Sequence, residues 1–308
     1  MPLKKLKKEL EKVKIKKTGA KKPVNPLSLL ALPTSVKEVN KDIGNYTCLL
    51  YGREKIGKTT FFSTWPKALF LSTEPGAKGL NIFEFNSENG GVTSWEILVK
   101  AVDLLEKTEH DFKTVVIDTI DRAYDMCLDY VCKYQGIEYP GQDSGGEKDF
   151  GKSWRAVKQE FMKQMHRLLR MNLGLAMTSH SKEEEIKRRG TGERYSIIRP
   201  SMSNQARAVV EALVDLFIYA EYFQDKQGKV HRVLICEGDD TVWAGTRATG
   251  SGKSFPRFLP LLEKEGFKVI DQAFRTGEGG INPSDLMRGK LTSKTSEEFL
   301  RKKKKENR

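Results

Sequence analysis

Gly52-Arg53-Glu54-Lys55-Ile56-Gly57-Lys58-Thr59-Thr60 is the stretch that decides the fold of this chain. It fits G-x-x-x-x-G-K-[ST] at every fixed position, a pattern that holds nucleotide phosphates. Its glycines let backbone N–H groups close around an anion, and a helix that follows turns its positive end toward it. All nine residues are candidate nucleotide contacts. Lys58 would reach the β- and γ-phosphates, and the Thr59 hydroxyl would ligate Mg²⁺. With 26 Gly in 308 residues, and roughly a tenth each for Lys and for Ser/Thr, about 0.02 chance matches are expected.

The flanks agree with the motif. Tyr46 to Tyr51 is apolar and β-prone, and predicts a strand leading in. Thr59 to Thr64 predicts a short helix leading out, stopped by Pro66. Further strands are predicted at Ala68–Ser72, Thr114–Asp118, Leu173–Ser179, Val214–Ala220 and Val230–Glu237. Between them, Trp95, Leu98, Val99, Val102 and Leu105 recur at helical spacing, as do Trp154, Val157, Phe161, Met165, Leu168 and Leu169. Alternating strands and helices imply an α/β fold with a mainly parallel central sheet flanked by helices. Ligands of such sheets sit at the C-terminal ends of the strands.

Composition narrows the class. The four cysteines contain no C-x-x-C pair and the four histidines no metal-ligand spacing, so neither a zinc site nor a disulfide framework is expected. No signal peptide is visible and no run is long enough to span a bilayer, so no membrane partner and a cytoplasmic location are expected. The formal net charge is +13. Residues 1–22 hold ten Lys and two Glu, and residues 301–308 hold two Arg, four Lys and one Glu. Of 54 basic and 41 acidic residues, 38 of each remain between the two tails, so the core is neutral. The tails read either as solubility segments or as electrostatic arms for nucleic acid.

The expected organisation is a basic flexible tail at 1–26, one domain at 27–270 and a flexible basic extension at 271–308. Leu27, Leu29, Leu30 and Leu32 make the start of the domain too apolar for a free linker.

The strand ends supply candidates for chemistry. Asp118 closes a nearly apolar strand and would bind Mg²⁺. Asp121 is a second carboxylate, or a helix cap. Glu74 follows the second strand and is placed to polarise a water, or is an ordinary loop residue beside Pro75. Thr178, Ser179 and His180 end another strand and would sense the γ-phosphate. The following loop carries Lys182, Lys187, Arg188, Arg189, Arg194 and Arg199, with Gly190 and Gly192 for flexibility and Tyr195 for stacking. Cations with an aromatic suit single-stranded nucleic acid, although Glu183, Glu184, Glu185 and Glu193 also fit a solvated loop. Gly250-Ser251-Gly252-Lys253-Ser254 mimics the end of a second phosphate loop, but Arg247 stands where the first Gly is needed. Arg247 and Lys253 are instead candidate cations toward a neighbouring subunit's nucleotide.

The order of phosphate loop, Thr73-Glu74, Val116-Ile117-Asp118-Thr119, Asp149-Phe150-Gly151-Lys152, Thr178 to Lys182 and Ala244 to Arg247 resembles a known group. It is similar to phage-encoded nucleotide-binding proteins with a RecA-type core, including the Sak-type single-strand annealing ATPases. The resemblance spans roughly residues 43–262. It implies a RecA-like P-loop NTPase using ATP and Mg²⁺, with Lys58, Glu74, Asp118, His180 and Arg247 catalytic. It implies DNA binding by the loop from Lys182 to Arg199, and assembly into a ring or filament. The implied activity is DNA-stimulated ATP hydrolysis in annealing or strand exchange during phage recombination, alongside a single-strand DNA-binding protein. An ATP-switched DNA-binding or assembly module, and a DNA motor or helicase loader, are the alternatives.

Overall fold

The computed structural model describes residues 32–143, 148–248, 252, 254–262 and 264–282. Both basic tails, the segment 23–31 and Lys253 lie outside the described residues. Contacts divide the chain into Met1–Val39 and Asn40–Arg308. In the first unit the described residues 32–39 are exposed and form neither helix nor strand.

Among the described residues the second unit has ten strands: β1 (Thr47–Gly52), β2 (Ala68–Ser72), β3 (Phe83–Glu84), β4 (Thr114–Asp118), β5 (Gly174–Lys187), β6 (Arg194–Pro200), β7 (Leu216–Gln224), β8 (Val230–Ile235), β9 (Gly245–Thr246) and β10 (Phe258–Pro260). Their order is β10-β8-β7-β1-β5-β4-β2-β3, with β6 beside β5 and β9 beside β7. From β7 to β3 every pairing is parallel. β8, β10, β6 and β9 join antiparallel. Among the described residues six α-helices cover the sheet: α1 (Lys58–Phe62), α2 (Trp95–Lys107), α3 (Ile120–Gln135), α4 (Lys152–Arg170), α5 (Asn204–Leu213) and α6 (Gly266–Thr276). This is the expected α/β architecture, a RecA-like core in which β5 separates the phosphate-loop strand from the acidic strand β4.

The apolar strand runs are explained by cover on both faces. All six residues of β1 are buried. Leu49 and Tyr51 face one core with Leu71, Ile117, Met177 and helices α2 to α5, where Trp95, Tyr124 and Phe161 pack ring against ring. Cys48 and Leu50 face the other, with Phe70, Ala176, Ile218 and the short helix α1 under α6. All four cysteines are free and buried, Cys48 and Cys236 in this second core, and Cys127 and Cys132 on α3. Burial pushes each thiol's pKa up.

Three expectations change. The loop after His180 is a continuous extension of β5 that turns at Gly190 and Gly192, both with positive φ, and returns as β6. Those glycines shape a turn. The strand from Val214 is longer than expected and starts later, at Leu216, and its partner β8 runs antiparallel. The boundary at residue 270 cuts through α6, which continues to Thr276 with Ala273 and Phe274 buried. Ile281 N–H then donates to Phe258 O at 2.9 Å.

Candidate functional site

The parallel strands deliver their C-terminal ends to one edge of the sheet. Gly52 stands opposite His180 on one side and Ala220 on the other, and Ser72 stands opposite Asp118. The loop residues Glu54, Lys55, Gly57, Lys58, Thr59 and Thr60 line a cleft of about 560 Å³. Glu74, Asp118, Thr119 and His180 line the same cleft. The structure thus brings together most of the residues singled out in the sequence.

Local chemistry explains each placement. Gly57 takes a φ of 104° that side chains rarely adopt, and so opens α1 at Lys58. Ile56 turns its side chain fully into the core, so only its backbone faces the loop. Lys58 is 6% exposed, and its ammonium donates to Gly52 O and Arg53 O, both at 2.9 Å. Burial holds its pKa below the usual lysine value, with the carboxylates of Asp118, Asp121, Glu54 and Glu74 pulling the other way.

Asp118 is gripped from two sides. Thr59 Oγ1 donates to Oδ2 at 2.7 Å, and Thr178 Oγ1 donates to Oδ1. A threonine hydroxyl against a carboxylate at the end of a phosphate loop is a hard oxygen donor set of the kind Mg²⁺ selects. Among the described residues no group of three or more His, Cys, Asp or Glu could hold a metal ion. A phosphate-bound Mg²⁺ does not need one, because substrate oxygens and water fill its shell. The residues therefore fit Mg²⁺ with a nucleotide triphosphate.

Glu74 is also held at both oxygens. Thr119 Oγ1 donates to Oε1 at 3.0 Å, and His180 Nε2 lies 3.3 Å from Oε2. Thr119 in turn exchanges two bonds with Thr73, whose hydroxyl accepts its N–H at 2.8 Å and donates to its carbonyl at 2.9 Å. Asp121 does not cap α3; Thr119 does, accepting Arg122 N–H at 3.4 Å. Asp121 Oδ1 instead accepts from Ser179 at 3.0 Å and Ser201 at 2.5 Å. By sequence Thr119 is only the end of the motif Val116 to Thr119, with no role, and Ser201 is not singled out. Thr119 follows the acidic strand end directly and had that much signal, whereas Ser201 had none.

Arg247 does not join this site. It lies at the start of β7, the opposite edge of the sheet. Its guanidinium donates to Val214 O at 2.5 Å and pairs with Asp215 at 3.7 Å. On the hairpin, Arg188 pairs with Asp240 at 2.9 Å and sits over Tyr195, and Arg194 pairs with Glu185 at 2.8 Å. Among the described residues no ion pair engages Lys182, Lys187 or Arg189. Arg199 is turned inward, 3.3 Å from Glu184 and over Trp243.

Over 150 residues the chain is 21% identical to the SPbeta prophage-derived uncharacterized protein YorG of Bacillus subtilis (strain 168). The alignment covers 49% of this chain and 45% of that protein, so the chain spans less than half of that relative. The KaiC-like protein PH0186 from Pyrococcus horikoshii OT3 matches at 16% identity and a TM-score of 0.33, over 62% of this chain and 78% of that one. Residues 44–248 match the family AAA_24, AAA domain, a span that runs from just before β1 to just past β9 and contains the loop, Glu74, Asp118, His180 and the hairpin. The chain belongs to this AAA domain family.

Proposed function

We propose that this P-loop ATPase hydrolyses ATP with Mg²⁺ and uses the cycle to act on single-stranded DNA, promoting annealing or strand exchange in phage recombination. One observation carries this reading: β5 is a single strand that contacts Asp118, Asp121 and Glu74 in turn and then becomes the cationic hairpin. Thr178 bonds Asp118, Ser179 bonds Asp121, His180 meets Glu74, and Ser181 to Lys187 follow without a break. A change at the γ-phosphate end of the cleft is thereby felt at the root of the hairpin.

Lys58 and the loop N–H groups bind the phosphates, while Thr59 and Asp118 hold the metal. When bound, Mg²⁺ neutralises charge on the β- and γ-phosphates. Glu74 orients the attacking water and takes up its proton, and His180 reports on Glu74 through their contact. Lys182, Lys187, Arg188, Arg189 and Arg194 contact the DNA backbone together with the basic tails. Ring or filament assembly brings Arg247 toward the nucleotide of a neighbour. For that, Arg247 must exchange its bond to Val214 O for the phosphate. The protein acts in the cytoplasm, with a single-strand DNA-binding protein as a natural co-worker.

The test is the ATPase rate with and without single-stranded DNA, alongside DNA binding at low salt. Stimulation with salt-sensitive binding is expected; the absence of both stimulation and binding sinks the reading. A second reading has its own support, because both oxygens of Glu74 are already engaged, by Thr119 and His180. There ATP acts as an assembly switch with little turnover. Glu74→Gln separates the two. Turnover-driven annealing predicts a loss of about 100-fold in hydrolysis with failed recycling, whereas the switch reading predicts intact annealing.

A further inference from the structure

We infer that Tyr51 is a positioning residue that ties the phosphate-loop lysine to the hairpin by a route separate from Glu74 and His180. Tyr51 is the last side chain of β1 before the loop and is fully buried. Its hydroxyl lies 2.7 Å from Trp243 O and 3.2 Å from Ile198 O. A hydroxyl carries one hydrogen, so it can be given to either carbonyl. A donor within reach of two acceptors is the kind of contact a two-state element can use.

Each end of this contact is tied firmly. On the loop side, the next residue is Gly52, whose carbonyl receives the Lys58 ammonium at 2.9 Å. Gly52 packs so closely on β7 that an added Cβ would lie 2.7 Å from Ala220 O. A displacement of Tyr51 is therefore passed along the chain to Lys58. On the hairpin side, Ile198 belongs to β6 and accepts from Trp243 N–H at 3.2 Å. The Trp243 ring has Arg199 4.7 Å and Arg207 5.6 Å from its centre. Both guanidinium groups pair with Glu184, at 3.3 Å and 3.6 Å. Glu184 lies on β5, Arg199 on β6 and Arg207 on α5, so the tryptophan is clamped to both strands of the hairpin root.

The inference rests on the proposed function only in that the hairpin answers to nucleotide; DNA is not part of it. The experiment is hydrogen exchange of the full chain, with and without Mg²⁺ and a non-hydrolysable ATP analogue. In the wild type, nucleotide should slow exchange both in residues 52–60 and in residues 181–200. In Tyr51→Phe, the protection of 52–60 should persist, while that of 181–200 falls at least threefold. Because Tyr51→Phe takes the hydroxyl donor away from Trp243 O, while Ile198 O keeps the Trp243 N–H, Trp243→Leu serves as the second probe. It removes the clamp without touching the hydroxyl, and should uncouple the hairpin in the same way. Retained hairpin protection in both variants overturns the inference, as does a wild-type hairpin blind to nucleotide. A wild type that fails to bind DNA would overturn the DNA reading and leave this one standing.

Discussion

Asp121 shows how an ordinary-looking residue acquires a distinct chemistry. Burial is the main force raising its pKa above the usual value of 3.8, and the Ser201 and Ser179 hydroxyls only partly offset it. Its Oδ2 has no hydrogen-bond partner among the described residues. The folded state therefore keeps the proton to higher pH than the unfolded chain does. In the window just above the ordinary Asp value, the folded state binds more protons, so stability falls as pH rises. Asp121→Asn keeps an acceptor for both serines and removes that penalty. Its stability relative to wild type should grow between pH 4 and pH 7, reaching on the order of 1 kcal/mol. Thermal melts at the two pH values check this, and a difference that stays constant speaks against it. At this scale sequence was uneven. Lys58 and Thr59 were legible because a loop that wraps phosphate has strict glycine and cation positions. Asp121 was not, because an Asp three residues past a strand end reads equally as a helix cap. Tyr51 had no signal at all, since a buried tyrosine in a strand resembles any other core aromatic.

Among the elements, β5 bears the most consequence. Its first residue, Gly174, is pressed against the turn before β1: an added Cβ would lie 1.8 Å from Gly44 O. Gly174→Ala must push the two backbones apart, and an overpacking cost of about 1–3 kcal/mol is expected. Urea unfolding measures it directly, and a stability within a few tenths of wild type would contradict the packing. The same strand marks the border of what sequence shows. Leu173 to Ser179 was readable as a strand because cover on both faces demands an apolar run. Its second half was not, because Ser181-Lys182-Glu183-Glu184-Glu185-Ile186-Lys187 lacks apolar alternation and resembles a solvated loop. Its backbone ladder with β6 is accompanied by diagonal charge pairs across the strands, Arg194 with Glu185 and Arg199 with Glu184. Those partners are visible only once the register is known. Arg188 and Arg194 must therefore exchange their carboxylate partners for phosphate in the proposed DNA complex.

For the whole molecule, the even balance of 38 basic and 38 acidic residues between the tails sets where DNA attraction arises. Deleting residues 1–22 and 301–308 removes the entire excess of +13. For every DNA phosphate that the tails no longer neutralise, the slope of log affinity against log salt should become shallower by about 0.7 on a single strand. Binding titrations at several salt concentrations give the slope, and an unchanged slope would assign the attraction to the hairpin alone. The fold class was legible at this scale because the parallel strands β1, β2, β4, β7 and the first half of β5 are buried and impose apolar runs at regular intervals. The place of Arg247 was not, because it depends on β9 folding back beside the start of β7.

The buried cysteines give the molecule built-in clocks. With every thiol sequestered and its ionisation suppressed, the native protein should resist alkylating reagents, and each cysteine becomes reactive only when its surroundings open. Cys48 and Cys236 time the opening of one face of the sheet, and Cys127 that of the other. The rates at which these sites take up label therefore tell, without any engineered probe, whether the two layers come apart together or in turn.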